Sequence, residues 1–254
     1  LYQNLLLHGA ASLAATWIGR RRPLLGAALQ ATVATSYALD TTHQAFLLRR
    51  LLPWGSSANV VGRLRATGEP ALRVVLVSHT DAAFTGLVFD PDVARNASTG
   101  GPRPMQLVWG AAALQAGLNV VRGVVGEVPL LGAASLALGV PAAVMAAVNL
   151  DVVVRNELVP GATDNLSGVA GMLILAERLQ RNRREDVEIV LVATGCEEAS
   201  LGGATALARA MKSEWDPEKT VIIGLDGLAN GNLCYLREGE LRRTPLAGWL
   251  EEAI

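Results

Sequence analysis

Four short clusters in a chain of 254 residues carry side chains able to do acid–base or metal chemistry. They are Ser78-His79-Thr80-Asp81, Gly161-Ala162-Thr163-Asp164-Asn165-Leu166-Ser167-Gly168, Gly195-Cys196-Glu197-Glu198 and Asp226-Gly227. Together they offer one imidazole and several carboxylates without a thiolate cluster, a donor set suited to divalent zinc. Two metals about 3.5–4 Å apart need a bridging carboxylate and outer ligands on each side. The adjacent Glu197 and Glu198 can divide two jobs, because neighbours on a loop point differently. One carboxylate can bind metal while the other takes a proton from a metal-bound water. In His79-Thr80-Asp81 the carboxylate can accept the free imidazole N–H and so fix the ring's tautomer. Each cluster alone has a plainer reading: a polar strand end, a solvated helix start, a helix cap at Asp164 or a turn at Asp226. Their joint order is what carries the argument.

The elements around them follow from hydrophobic periodicity. Residues 58–66 and 71–78 are strand-like and joined by the turn Thr67-Gly68-Glu69-Pro70. Residues 166–181 read as a helix with Val169, Leu173, Ala176 and Leu179 near one face. A β-branched strand is expected over 187–194, a helix over 199–212 and a strand over 220–225. This alternation predicts an α/β fold, a mixed and mostly parallel sheet flanked by helices. Three of the four clusters then end a strand and the fourth opens a helix, so all can meet at the carboxyl edge of the sheet, where open α/β folds bind ligands.

Charge is spread unevenly. The chain has 22 Lys and Arg against 23 Asp and Glu, with 51% hydrophobic and only 18% charged residues. Residues 1–48 carry four charges (Arg20, Arg21, Arg22, Asp40) and residues 105–150 carry two (Arg122, Glu127), while the remaining 160 are as charged as an ordinary soluble domain. Disorder is excluded by this much Val, Leu and Ile. The near-zero balance without a basic excess argues against a nucleic-acid partner. Cys196 and Cys234 cannot form a disulfide scaffold. Cys196 reads as a buried packing residue.

The two charge-poor blocks read as inserted and N-terminal apolar transmembrane helices. Residues 5–18 and 24–39 are short for a bilayer but rich in Ala, Gly, Ser and Thr, which suits close helix contact in a membrane. Residues 105–121 and 128–150 flank a short turn, and the second run has 23 residues without a charge, enough to span, with Pro141 inside it. The other reading of both pairs is buried helices in a soluble core. Arg20–Arg22 form a basic loop whose expected side is the cytoplasm. The chain therefore divides into N-terminal membrane helices at 1–50, a first part of the α/β domain at 51–104, an inserted hairpin at 105–150 and a second part of that domain at 151–254. It reads as a fragment of a longer, multi-pass membrane protein, with 241–254 an amphipathic stretch. Asn96-Ala97-Ser98 is a glycosylation sequon if it faces outward.

The combination resembles the M28 family of zinc aminopeptidases and related metallopeptidases, in a membrane-associated subfamily. The resemblance lies in 59–64 (NVVGRL), 74–81 (VVLVSHTD), 161–168 (GATDNLSG), 194–203 (TGCEEASLGG) and 221–227 (VIIGLDG). It covers roughly residues 58–81 and 151–240. It implies His79 as a zinc ligand with Asp81 as its orienting partner, Asp164 bridging two zinc ions, and Glu198 and Asp226 as further ligands. Glu197 becomes the general base, and the implied reaction is hydrolysis of a peptide substrate, aminopeptidase-type, by a metal-activated water. The site is expected outside the cytoplasm, with the lipid bilayer as a second partner. Two departures stand out. His79 and Asp164 are 85 positions apart, far more than usual for the family, and the family's late second His ligand has no match among His8 and His43. Either that ligand is expected beyond residue 254, the metal site being incomplete in this fragment, or the protein is a degenerate member. An inactive member with a binding or structural role, or another amide-bond chemistry on the same scaffold, therefore stays open.

Overall fold

The computed structural model describes residues 1–93, 103–235 and 248–249. The Asn96 sequon lies outside them, as does nearly all of 241–254. The chain divides into two compact units: Leu1–Trp54 and Thr85–Glu157 belong to one, Gly55–Phe84 and Leu158–Cys234 to the other.

The first unit is helical: α1 (Tyr2–Gly19), α2 (Pro23–Thr41), α3 (Pro104–Val125), α4 (Pro129–Ala137) and α5 (Val140–Arg155). Four of these begin with Pro in the first turn, where its missing N–H costs nothing. Pro141 is one of them. It does not sit inside one long helix, as its place in the apolar run suggested, but starts α5 after a break at Leu138-Gly139. Helices α1 and α2 touch through small residues: a Cβ on Gly26 would collide with the Gly19 backbone.

The unit's interior combines an apolar cluster of Leu5, Tyr37 and Met145 with many buried polar side chains. Gln115, Asn119 and His8 are fully buried, with Gln30, Ser135 and Asn4 nearly so. They are paired across helices. Gln30 donates to Gln115 and, at 2.7 Å, to the Ser12 hydroxyl; Gln115 donates to the Ser135 carbonyl at 2.6 Å. The rings of His8 and the hydroxyl of Ser36 meet at 3.0 Å, and Asn4 donates to Asp40 at 3.1 Å. Large apolar side chains face outward instead: Leu114 is 66% and Val124 78% exposed, as are much of Trp17, Leu130 and Val154.

Among the described residues, two helical segments are long and apolar enough to cross a membrane, Pro104–Val125 and Pro129–Arg155. The second contains both α4 and α5. Helices α1 and α2, which carry Asn4, His8, Gln30 and Asp40, fall short of that standard.

The second unit is a mixed α/β layer. Its sheet holds β1 (Val60–Leu64), β2 (Leu72–His79), β3 (Val187–Thr194) and β4 (Thr220–Gly224) in the order β1-β3-β2-β4. Only β1 runs antiparallel. Between strands lie α6 (Ser167–Arg181) and α7 (Gly202–Met211). The core is Val75, Val190, Val192 and Leu207, with Val77, Met211 and Trp215 against it. The β-branched central residues are buried on both faces, as parallel strands require. Register aligns the carboxyl ends: His79 pairs with Thr194, and Val77 pairs with Gly224, two positions before Asp226. The sequence reading of a mostly parallel sheet flanked by helices therefore holds.

Candidate metal centre

His79 is the last residue of β2 and is 4% exposed. Its Nδ1 lies 3.0 Å from the backbone carbonyl of Asp81, so the Nδ1–H tautomer donates there. That leaves Nε2 as an acceptor facing acids. Nε2 is 2.9 Å from Asp164 Oδ1 and 3.9 Å from both Glu197 Oε2 and Asp226 Oδ2. A lone pair aimed at carboxylate oxygens requires a cation between them, either a proton or a metal. One ligand atom each from His79, Asp164 and Glu198 lies within 4.8 Å of the others. Donor chemistry and spacing both fit a divalent ion.

Each acid reaches this place by a different local device. Asp164 sits in the Ala162–Leu166 turn that precedes α6, and its peptide bond to Asn165 is cis. Glu197 and Glu198 follow β3 on a tight loop in which Cys196, Ser200 and Leu201 all take positive φ. The loop closes on itself through Leu201 N–H to the Glu197 carbonyl and Gly202 N–H to the Cys196 carbonyl, each 2.7 Å. Asp226 follows β4. The first link after the strand is Leu225 N–H to the Val77 carbonyl at 2.8 Å, which continues the sheet register toward the site.

Asp81 is placed differently from the expectation that its carboxylate orients His79. The carboxylate's nearer oxygen is 3.6 Å from His79 Nδ1, and the backbone carbonyl takes the imidazole N–H. Its two oxygens instead accept the backbone N–H groups of Glu197 and Glu198, both at 3.0 Å. Asp81 thus grips the glutamate pair. Asn59 holds the start of the same loop, accepting from Gly195 N–H at 3.2 Å and donating to the Gly203 carbonyl at 2.8 Å. Sequence reasoning assigned no role to Asn59 or Asn165. Their only signal was position, just before β1 and just after Asp164. Cys196 is half-buried rather than buried.

Crowding of like charge shapes the acids. Burial, then the charges of Glu197 and Asp164, push Glu198 up to about 7. Burial also raises Glu197, with the His79 charge opposing and Asp81, Asp226 and Asp164 adding to it. Asp226 is raised by burial and by Asp164. Burial works against the charged form of His79, but Glu197, the Asp81 carbonyl, Asp164 and Asp226 outweigh it and raise the imidazole. A cation placed in such a cluster would relieve its repulsion.

Residues 142–254 match the sequence model of peptidase family M28. The matched stretch contains Asp164, Glu197, Glu198 and Asp226, while His79 and Asp81 precede it. No curated protein and no solved structure matches the chain.

Proposed function

We propose that this chain, whose residues 142–254 match the sequence model of peptidase family M28, is a member of that family and the membrane-held part of a two-zinc peptidase of aminopeptidase type. The observation that carries the reading is the convergence on His79 Nε2 of carboxylates from three separate segments. His79, Asp164, Glu198 and Asp226 are the residues that would hold the ions. When bound, zinc supplies Lewis acidity that polarises a carbonyl and makes a coordinated water more acidic. Glu197 is the proposed general base. Its carboxylate lies beside the ligand cluster, and burial raises its affinity for a proton, which suits a group that accepts one from water. It takes a proton from the attacking water as the C–O bond forms, and returns it to the amine as the C–N bond breaks. Asp81 keeps both glutamates at their stations through their backbone N–H groups.

The helical unit supports residence in a lipid bilayer. Many of its large apolar side chains point outward and several of its amides inward, an order expected where the surroundings are hydrocarbon. We assign 1–50 and 105–150 to the membrane, and 51–104 with 151–254 to the peptidase domain. Arg122 donates to the Gly19 carbonyl at 3.1 Å and pairs with Glu127 at 2.7 Å, so the α1–α2 and α3–α4 turns share one end of the bundle. Leu1, Tyr37, Met105 and Met145 cluster at the other. This supports one basic end, which we assign to the cytoplasmic side.

A second reading, a non-catalytic member with a binding role, is favoured by one observation. His79 is the sole imidazole in the sheet unit; His8 and His43 lie in the helical unit, and both ring nitrogens of His8 are engaged there. Glu197→Gln in the full-length protein separates the two. Peptide hydrolysis is expected to fall about 10²–10⁴-fold with zinc content unchanged. Unchanged turnover excludes Glu197 as the base, and absence of any turnover in the parent protein favours the binding role.

A further inference from the structure

Asn165 is 1% exposed, and its side-chain amide is spent entirely on backbone. Nδ2 donates to the Leu225 carbonyl at 2.8 Å. Oδ1 accepts from Gly168 N–H at 3.0 Å and from Gly227 N–H at 3.4 Å. Leu225 and Gly227 are the two residues that flank Asp226. Gly168 allows the approach, since a Cβ there would collide with Asn165 Oδ1. Through one amide, the turn that carries Asp164 is fastened to both sides of the loop that carries Asp226.

We infer that Asn165 is a positioning residue for Asp226, setting that carboxylate against Asp164 so that both address one ion. The need is physical. Asp164 and Asp226 carry like charges at 2.9 and 3.9 Å from the same nitrogen, and they repel until a cation arrives. The Asp226 side chain is 63% exposed, so its own packing does not hold the loop. A neutral amide that donates on one side of Asp226 and accepts on the other does so without adding charge. The inference rests on the proposed ligand role of Asp226.

The test is a double-mutant cycle in the full-length protein, with zinc alone as the probe and affinity read by chelator competition. Asn165→Ala is expected to weaken zinc binding by about 10–100-fold, the usual effect of losing a partner that orients a ligand. Added to Asp226→Ala, it should weaken binding by less than about 3-fold, because the group it positions is already gone. A cobalt-substituted Asn165→Ala protein should show the same change in visible absorption as Asp226→Ala. Full additivity, or undiminished affinity in Asn165→Ala while Asp226→Ala is impaired, overturns the inference. Undiminished affinity in Asp226→Ala itself overturns the ligand assignment instead. If Asn165→Ala does not fold, Asn165→Ser serves in the same cycle, a neutral side chain too short to hold both Leu225 and Gly227.

Discussion

The helical unit and the sheet unit solve opposite packing problems with much the same alphabet. In the sheet unit Val75, Val190 and Val192 are fully buried, and the acids collect at the strand ends. In the helical unit Gln115, Asn119 and His8 are fully buried, and Leu114, Val124 and Leu130 face outward. Burial of valine against water follows the hydrophobic effect, whereas burial of glutamine and asparagine behind apolar side chains is what the proposed hydrocarbon surroundings would favour. The two units therefore sort polar and apolar side chains differently, although one chain passes between them repeatedly.

Substitutions can break that contrast. Leu207→Ala in the sheet core is expected to cost about 2–5 kcal/mol, since it removes a buried side chain whose neighbours cannot collapse fully. Thermal or denaturant unfolding of the sheet unit reads it, and a neutral result would mean that Leu207 is not core. Leu114→Lys, at the middle of α3, is expected to cost about 2.5–3.5 kcal/mol of membrane insertion, measured by the fraction of protein retained in the bilayer. If it inserts as well as the parent, or the unaltered protein is freely soluble, the outward face meets water and the contrast fails.

A smaller effect concerns the acids. In the metal-free fold Glu198 is raised to about 7 from an ordinary 4.5. A carboxyl raised on folding stabilises the fold below its ordinary value, and that contribution is lost as pH rises through its folded value. The raised His79 loses its contribution in the same direction. With chelator present, Tm should therefore fall as pH rises from 4.5 through about 7. Glu198→Gln should flatten part of that fall, by a few degrees, given about 2–4 °C per kcal/mol for a chain of this size. An unaltered slope would show that Glu198 is not held among like charges.

What was legible in the sequence was local. Strand Val187–Thr194 has the bounds its β-branched run predicts, and the helix after Asp164 begins within one residue of expectation. The clusters at strand ends were readable because strand ends are marked by a change from apolar to polar residues. What was not legible spans long separations. The carboxylate of Asp81 reaches Glu197 and Glu198 across 116 and 117 positions, and Asn165 reaches Leu225 across 60. No periodicity encodes such contacts. Pro141 misled for a related reason: an apolar run shows where helix can form, but a proline within it fits equally a tolerated kink or a fresh first turn.

The central claim is that His79, Asp164, Glu198 and Asp226 hold metal together. Anomalous diffraction at the zinc edge from crystals of the full-length protein tests it most directly. The account predicts peaks about 2.0–2.2 Å from His79 Nε2 and from oxygens of Asp164, Glu198 and Asp226. Zinc-loaded crystals with no peak at these residues, or with peaks only elsewhere, would contradict it.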